Sequence, residues 1–188
     1  MNTLCIGLIG EKGSGKGFFI ELAKKLLPEK KIVSIRFSDP LKEILGILDK
    51  EPSRENLQNI GSALRSIFHN EGILNDAIIK RLRAADADIV ILDGIRKKEE
   101  ITIVKENNGV VVYIQSDQRI RFERRTQMAE KPDEQGMMWK QFVEQDNAST
   151  ESSIREIGET MTDVTIKNNG TAEEFEKLVS KFLKKNAR

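Results

Sequence analysis

The run GEKGSGKGFF at residues 10–19 constrains the fold of this chain more than any other feature. It follows an apolar stretch, Thr3–Ile9, and precedes a helical stripe of Phe19, Ala23, Leu26 and Leu27 that Pro28 ends. A strand, a glycine turn and a helix in that order build an anion-binding nest. The glycines let successive backbone N–H groups turn inward, and the helix presents its positive end. In the spacing Gly10-x-x-x-x-Gly15-Lys16 the lysine reaches the outer phosphates of a nucleotide. Gly10, Lys12, Gly13, Ser14, Gly15, Lys16, Gly17 and Phe18 are the expected nucleotide-binding set, with Lys16 catalytic. The position after the lysine, which in the general motif carries a magnesium-binding hydroxyl, holds Gly17. A magnesium ion is therefore expected to be held by water and by a carboxylate elsewhere.

Five short apolar runs, Thr3–Ile9, Lys31–Phe37, Asp88–Leu92, Val110–Gln115 and Asp163–Lys167, alternate with helical patterns. Near-continuous apolar strands suit a parallel sheet covered on both faces. The expected fold is α/β in three layers around a five-stranded parallel sheet. The 188 residues suffice for one domain. Two intervals exceed a simple crossover: 38–87, read as an acceptor-binding insertion, and 116–162, a polar stretch read as a lid. The last helix carries a capping box at Thr171 and Glu174 and a stripe of Phe175, Leu178, Val179, Phe182 and Leu183.

With Lys+Arg 31 against Asp+Glu 30, the chain lacks the basic excess of a nucleic-acid or membrane-surface binder. No apolar run spans a bilayer, the first residues read as a strand rather than a leader, and the single Cys5 cannot form an internal disulfide. A cytoplasmic protein, monomeric or weakly dimeric, is expected.

Further candidates come from position and spacing. Asp93 ends a strand beside the glycine loop, where a carboxylate can organise a magnesium shell, chiefly through water. Behind a plausible cap at Ser53, Leu57, Ile60, Leu64 and Ile67 share one helical stripe, and Arg54, Gln58, Gly61 and Arg65 another. The second stripe reads as a cradle for an anionic acceptor, since arginine binds phosphate oxygens bidentately, or as a solvated face. Arg119, Arg121, Arg124 and Arg125 crowd about two turns of helix, with Arg121 and Arg125 on one face. Placed over the loop they would stabilise a moving phosphoryl group; otherwise they form a charged face balanced by Glu123 and Glu130. His69 has no evident partner and reads as a helix-end residue.

The loop, with glycine directly after its lysine, resembles that of nucleoside monophosphate kinases such as the adenylate kinases, although Phe18 stands where those enzymes usually keep Thr. "DGIR" at 93–96 is similar to their "DGFPR" element, which implies a magnesium-ordering role for Asp93 and acceptor binding by Arg96. "FSDPLK" at 37–42 resembles the "FADPLK" segment of phage-type deoxynucleoside monophosphate kinases, which puts Asp39 and Lys42 at the acceptor mouth. Asp39 before Pro40 is equally a common helix start. The arginine-rich stretch is similar to the "RFxRLxxR" lid of archaeal adenylate- and dephospho-CoA-kinase-like proteins, with Arg125 at its Leu position and Met128 at its last Arg. The "NxGT" turn of that group implies adenine contacts at Asn168, Asn169 and Gly170.

Together these imply an ATP- and Mg²⁺-dependent kinase passing the γ-phosphoryl group to a nucleoside or deoxynucleoside monophosphate. Lys16, Asp39, Asp93, Arg121 and Arg125 form the catalytic set, and Asp39, Arg54, Gln58, Arg65 and Arg96 the acceptor set. The alternatives are dephospho-CoA kinase-like phosphorylation of a hydroxyl with Asp39 as base, a phosphomevalonate kinase-like activity, and a nucleotide-binding regulator that transfers nothing.

Overall fold

The computed structural model describes residues 3–128, 136–147 and 149–187, with the side chains of Arg54, Met128 and residues 149–152 left aside. Five strands, β1 (Leu4–Ile9), β2 (Ile32–Arg36), β3 (Ile89–Asp93), β4 (Val110–Gln115) and β5 (Val164–Lys167), form one sheet in the order β2-β3-β1-β4-β5. Every pairing is parallel. The strand bounds fall within a residue of those expected from the apolar runs.

A parallel sheet needs both faces covered, and the pleat of each strand divides its side chains accordingly. Cys5 and Ile9, Val90 and Leu92, and Val111 and Tyr113 enter one core with Ile78, Leu82, Ile101, Val104, Ile154 and Ile157. Ile6 and Leu8, Ile89 and Ile91, and Val112 and Ile114 enter the other with Phe19, Leu22, Ala23, Phe175, Val179 and Phe182. The first core is roofed by α4 (Ile73–Ala84), α5 (Lys98–Glu106) and α8 (Ser149–Thr160); the second by α1 (Lys16–Leu26) and α9 (Ala172–Asn186). Burial pushes the Cys5 thiol up to about 12, so it is an inert apolar group at neutral pH.

The end of α9 follows the expected box: Thr171 Oγ1 accepts from Glu174 N at 3.3 Å and Glu174 Oε2 accepts from Thr171 N at 2.9 Å. Its stripe is narrower than expected, because Leu178 is 43% exposed. Between β2 and β3 lie α2 (Asp39–Ile47), α3 (Arg54–Ile67) and α4. Ser53 caps α3 through Asn56 N at 3.2 Å. On α3, Gly61 rather than Ile67 is buried: a Cβ at 61 would stand 3.3 Å from Leu41 of α2, while Ile67 is 68% exposed. The reason is α2, which crosses α3 at the glycine and rotates the buried face away from the apolar stripe. Between β4 and β5 lie α6 (Gln118–Met128), α7 (Trp139–Asp146) and α8. No helix among the described residues is long and apolar enough to cross a membrane.

Candidate active site

The loop between β1 and α1 opens at the carboxyl edge of the sheet. Gly13 (φ 79°) and Gly15 (φ 104°) hold left-handed conformations that favour glycine, which turns the loop tightly into the first turn of α1. Lys16 Nζ donates to the carbonyls of Gly10 at 2.6 Å and Glu11 at 3.2 Å, so the ammonium lies along the loop. Ser14 is fully buried, and its hydroxyl finds no hydrogen-bond partner among the described residues. Nothing lies within 4 Å of a Cβ built at Gly17. Phe18 turns its ring onto Phe175 at 5.8 Å, an apolar contact that explains its place in a helix packed on α9.

Asp93 lies beside this loop because β3 pairs with β1 in the register Leu8↔Asp93. It is buried; Oδ2 accepts from Arg36 Nε at 2.9 Å, and Oδ1 has no hydrogen-bond partner among the described residues. An orphaned buried carboxylate oxygen next to a phosphate nest fits a magnesium ion that keeps most of its water. Among the described residues no group of three or more His, Cys, Asp or Glu converges on a possible metal site. Asp93, a nucleotide's phosphates and water would therefore make up the ion's shell.

Arg36 also meets Asp39. Ser38 is the N-cap of α2, and Asp39 its first helical residue; Asp39 Oδ2 accepts from Arg36 N at 2.7 Å. The cap expected at 39 is thus a turn brace instead, with Lys42 Nζ 3.9 Å from Oδ1. Arg96 is exposed just beyond Gly94 (φ 85°). Its backbone N–H, with that of Lys97, is held by Glu100 Oε2 at 2.7 and 3.2 Å. Burial raises the Glu100 carboxyl, and these two N–H groups pull it partly back. On α3, Gln58 is exposed and Arg65 folds back over Gly61, 3.9 Å from Glu71, with Nε buried and unsatisfied. The Arg54 side chain lies outside the described residues.

The arginines of α6 are placed differently from one another. Arg121 is 1% exposed: its terminal nitrogens donate to Asp146 at 2.5 and 2.7 Å, its Nε to Ser116 O at 3.0 Å and its Nη1 to Lys12 O at 3.4 Å. The guanidinium is committed to Asp146 and the backbone instead of lying open above the loop. Arg125 is also buried, with its guanidinium 5.6 Å from the Phe142 ring centroid. A Cβ at Gly13 would stand 2.8 Å from Arg121 O and 3.2 Å from Arg125 Cγ, so α6 rests directly on the loop. The Asn168 turn reaches it too: Nδ2 donates to Ser14 O at 2.8 Å, and Oδ1 accepts from Arg124 at 3.2 Å. Asn169 Oδ1 accepts from Asp117 N at 2.9 Å, and Gly170 is exposed. His69, with φ 48°, is the left-handed residue that ends α3.

Sequence reasoning missed a polar network behind the loop. Glu11, 2% exposed, accepts from Tyr113 Oη at 3.1 and 3.2 Å and from Arg155 Nε at 3.2 Å; Arg155 also donates to Asp146 at 3.1 Å. Glu11, Tyr113, Arg121 and Arg155 line one cavity of about 210 Å³. Burial and the neighbouring Glu11 charge push the Tyr113 hydroxyl far up, so it stays protonated and donates. The only sequence signal was Glu11 itself, an acid inside the glycine loop, and the half-exposed Arg155 that meets it lies 144 residues away.

The chain is 33% identical over 159 residues to a UPF0200 protein of Methanocaldococcus jannaschii, covering 82% of this chain and 73% of that one. It belongs to the UPF0200 family. A UPF0200 protein of Thermococcus kodakarensis is 28% identical over 180 residues, 93% of each chain. No family model matches. Among solved structures the fold is similar to shikimate kinase from Aquifex aeolicus, with a TM-score of 0.59, 20% identity and 98% of each chain covered. It is also similar to a gluconokinase from Sinorhizobium meliloti, with a TM-score of 0.60, 14% identity, and 99% of this chain and 94% of that one covered. These likenesses give the fold alone.

Proposed function

We propose that this UPF0200 protein is an ATP-dependent small-molecule kinase whose acceptor is a nucleoside or deoxynucleoside monophosphate. The observation that carries the proposal is Asp93: a buried carboxylate with one free oxygen, set by the β1–β3 register beside a glycine nest whose lysine is already drawn along the loop. A fold shared with small-molecule kinases and the sequence resemblance to monophosphate kinases support the same reading.

When bound, ATP supplies the γ-phosphoryl group, and Mg²⁺ screens the phosphate charge. The N–H groups from Gly13 to Phe18 bind the donor phosphates, and Lys16 exchanges the Gly10 and Glu11 carbonyls for phosphate oxygens. Asp93 Oδ1 would hold a metal ion through water. Arg125 and the rest of the 116–162 segment act as a lid that keeps water from the transfer, and Arg121 fixes that lid to the loop. The Asn168–Gly170 turn borders the adenine side. Asp39, Arg54, Gln58, Arg65 and Arg96 border the acceptor, whose phosphate is already an anion and requires no base.

A coupled assay of ADP release across the common nucleoside and deoxynucleoside monophosphates, with dephospho-CoA included, tests the reading. Transfer to a monophosphate, unchanged in Asp39→Asn, supports it. Transfer only to a hydroxyl acceptor, lost in Asp39→Asn, would assign the site to hydroxyl phosphorylation. ATP turnover indifferent to every acceptor would point to a regulator.

A further inference from the structure

At the carboxyl edge of the sheet, two carboxylates are bonded to one arginine: Asp93, ending β3, and Asp39, opening α2, both meet Arg36. Alone they would repel an anionic acceptor and a nucleotide's phosphates alike. Arg36 stands between them. The registers Leu8↔Asp93 and Arg36↔Asp93 put it two strands from the loop-bearing strand, about 10 Å away at the usual strand spacing. An arginine side chain covers much of that distance.

Arg36 is braced from both sides. Its backbone N–H is fixed by Asp39 Oδ2 at 2.7 Å, and its Nε is fixed by Asp93 Oδ2 at 2.9 Å. Among the described residues, the Nε bond to Asp93 is the single hydrogen bond of its side chain. The Arg36 side chain is half exposed, at 52%, while its Nε stays anchored on the buried Asp93. Aiming a bidentate arginine costs little entropy when one of its five N–H groups already sets its plane. Holding Oδ2 of Asp93 also leaves Oδ1, which has no hydrogen-bond partner among the described residues, as the oxygen that a metal ion's water could use.

We propose that Arg36 is the specificity-determining residue of the acceptor side: its free fork takes an anionic group of the acceptor, a phosphate or a carboxylate, while its Nε holds Asp93 in register with the phosphate loop. This rests on the kinase reading above and names the residue that selects for an anionic acceptor. A phosphate group meeting the fork makes two charge-assisted hydrogen bonds and lies one arginine's width from Asp93. Lys42, 3.9 Å from Asp39, keeps that second carboxylate from competing for the fork.

The test separates the acceptor anion from the nucleotide. The full chain is saturated with Mg-ADP, which fills the phosphate loop, and inorganic phosphate is then titrated in by calorimetry and by thermal shift. The wild type is expected to take up phosphate with a further rise in melting temperature. Arg36→Gln should weaken phosphate binding by about tenfold or more, the worth of a bidentate ionic contact, and Mg-ADP affinity by a clearly smaller factor, since Asp93 loses one brace. Arg36→Lys, which keeps the charge but loses the fork, should fall between them. Phosphate uptake equal in wild type and Arg36→Gln, or absent from the ADP-loaded wild type, overturns the proposal and leaves the kinase reading standing. Parallel losses of ADP and phosphate binding also overturn it, since Arg36 then serves Asp93 alone. A wild type that binds no Mg-ADP overturns both.

Discussion

Arg121 and Asp146 meet through two short, parallel hydrogen bonds, 2.5 and 2.7 Å, at a point where neither side chain reaches solvent. The pair joins α6 to the end of α7, and its Nη1 contact with Lys12 O joins both to the phosphate loop. Paired in this way the two charges roughly offset their desolvation; without Asp146 the buried guanidinium is stranded, and without Arg121 the carboxylate keeps only Gln118 and Arg155 as donors. Arg121→Met or Asp146→Asn alone should cost about 3–5 kcal/mol of unfolding free energy. The double replacement Arg121→Met with Asp146→Leu should cost less than either. Urea unfolding followed by circular dichroism measures all three; additive losses would contradict a coupled pair.

The same pair carries a pH signature. Burial pushes the Asp146 carboxyl upward, but hydrogen bonds from Arg121 and Gln118 and the charges of Arg121 and Arg155 outweigh it and hold it below its ordinary value of 3.8. A depressed folded-state value means that ionised Asp146 stabilises the fold above about pH 4, and that this contribution disappears as pH falls through the lower, folded value. The acid limb of stability below about pH 4 should therefore flatten in Asp146→Asn. An unchanged acid limb would show that other carboxylates govern it.

Arg155 bridges Glu11 of the loop and Asp146 of α7, and Tyr113 is the other described partner of the Glu11 side chain. Arg155→Met leaves two buried carboxylates short of a donor, an expected loss of about 1–3 kcal/mol. Its effect should be local. Trp139, the single tryptophan, stacks on Phe142 at 5.8 Å within the α6–α8 segment, so its emission should shift to the red as that segment loosens. Backbone amides of β1 and β3 should keep their exchange protection. Loss of protection throughout the sheet would show that the bridge is a global support, not a hold on this segment.

Much of the fold was legible because it depends on signals that lie close together in the chain. Apolar runs marked all five strands, and Ser53 and Thr171 marked two helix starts, since caps and strand patterns are local. The tight glycine turn from β1 into α1 was legible for the same reason. What sequence could not supply was how helices cross: α2 against Gly61 turned α3 so that Ile67 faces water. Nor could it show that Arg121 spends its charge on Asp146, because a run of arginines does not reveal which has a buried acid opposite. Arg36 was missed for a related cause. Its significance comes from the β2–β3 register, a pairing between residues 57 apart.

Gly15 is the loop position with least latitude. Its φ of 104° is strained for any side chain, and a Cβ there would stand 2.3 Å from Asn168 Nδ2, the atom that holds Ser14 O. Gly15→Ala should therefore cost about 1–3 kcal/mol in stability and break the Asn168 tie, with a fall of at least about tenfold in affinity for a fluorescent ATP analogue.

Phe18 and Gly17 should behave in the opposite way. The Phe18 ring belongs to the contact with Phe175, so Phe18→Thr removes an aromatic pair and part of the second core. A loss of about 1–3 kcal/mol is expected, with the backbone nest left as it was. Gly17 has open space where a side chain would project, so Gly17→Ser should be accepted within about 0.5 kcal/mol. Its new hydroxyl would stand in the position that binds the metal in the general motif, which should sharpen the Mg²⁺ dependence of nucleotide binding. Thermal unfolding gives the stabilities, and titration of the fluorescent ATP analogue with and without Mg²⁺ gives the affinities. If Phe18→Thr abolished binding while the chain stayed folded, the ring would have to act on the nucleotide itself, and its assignment to the α1–α9 core would be wrong.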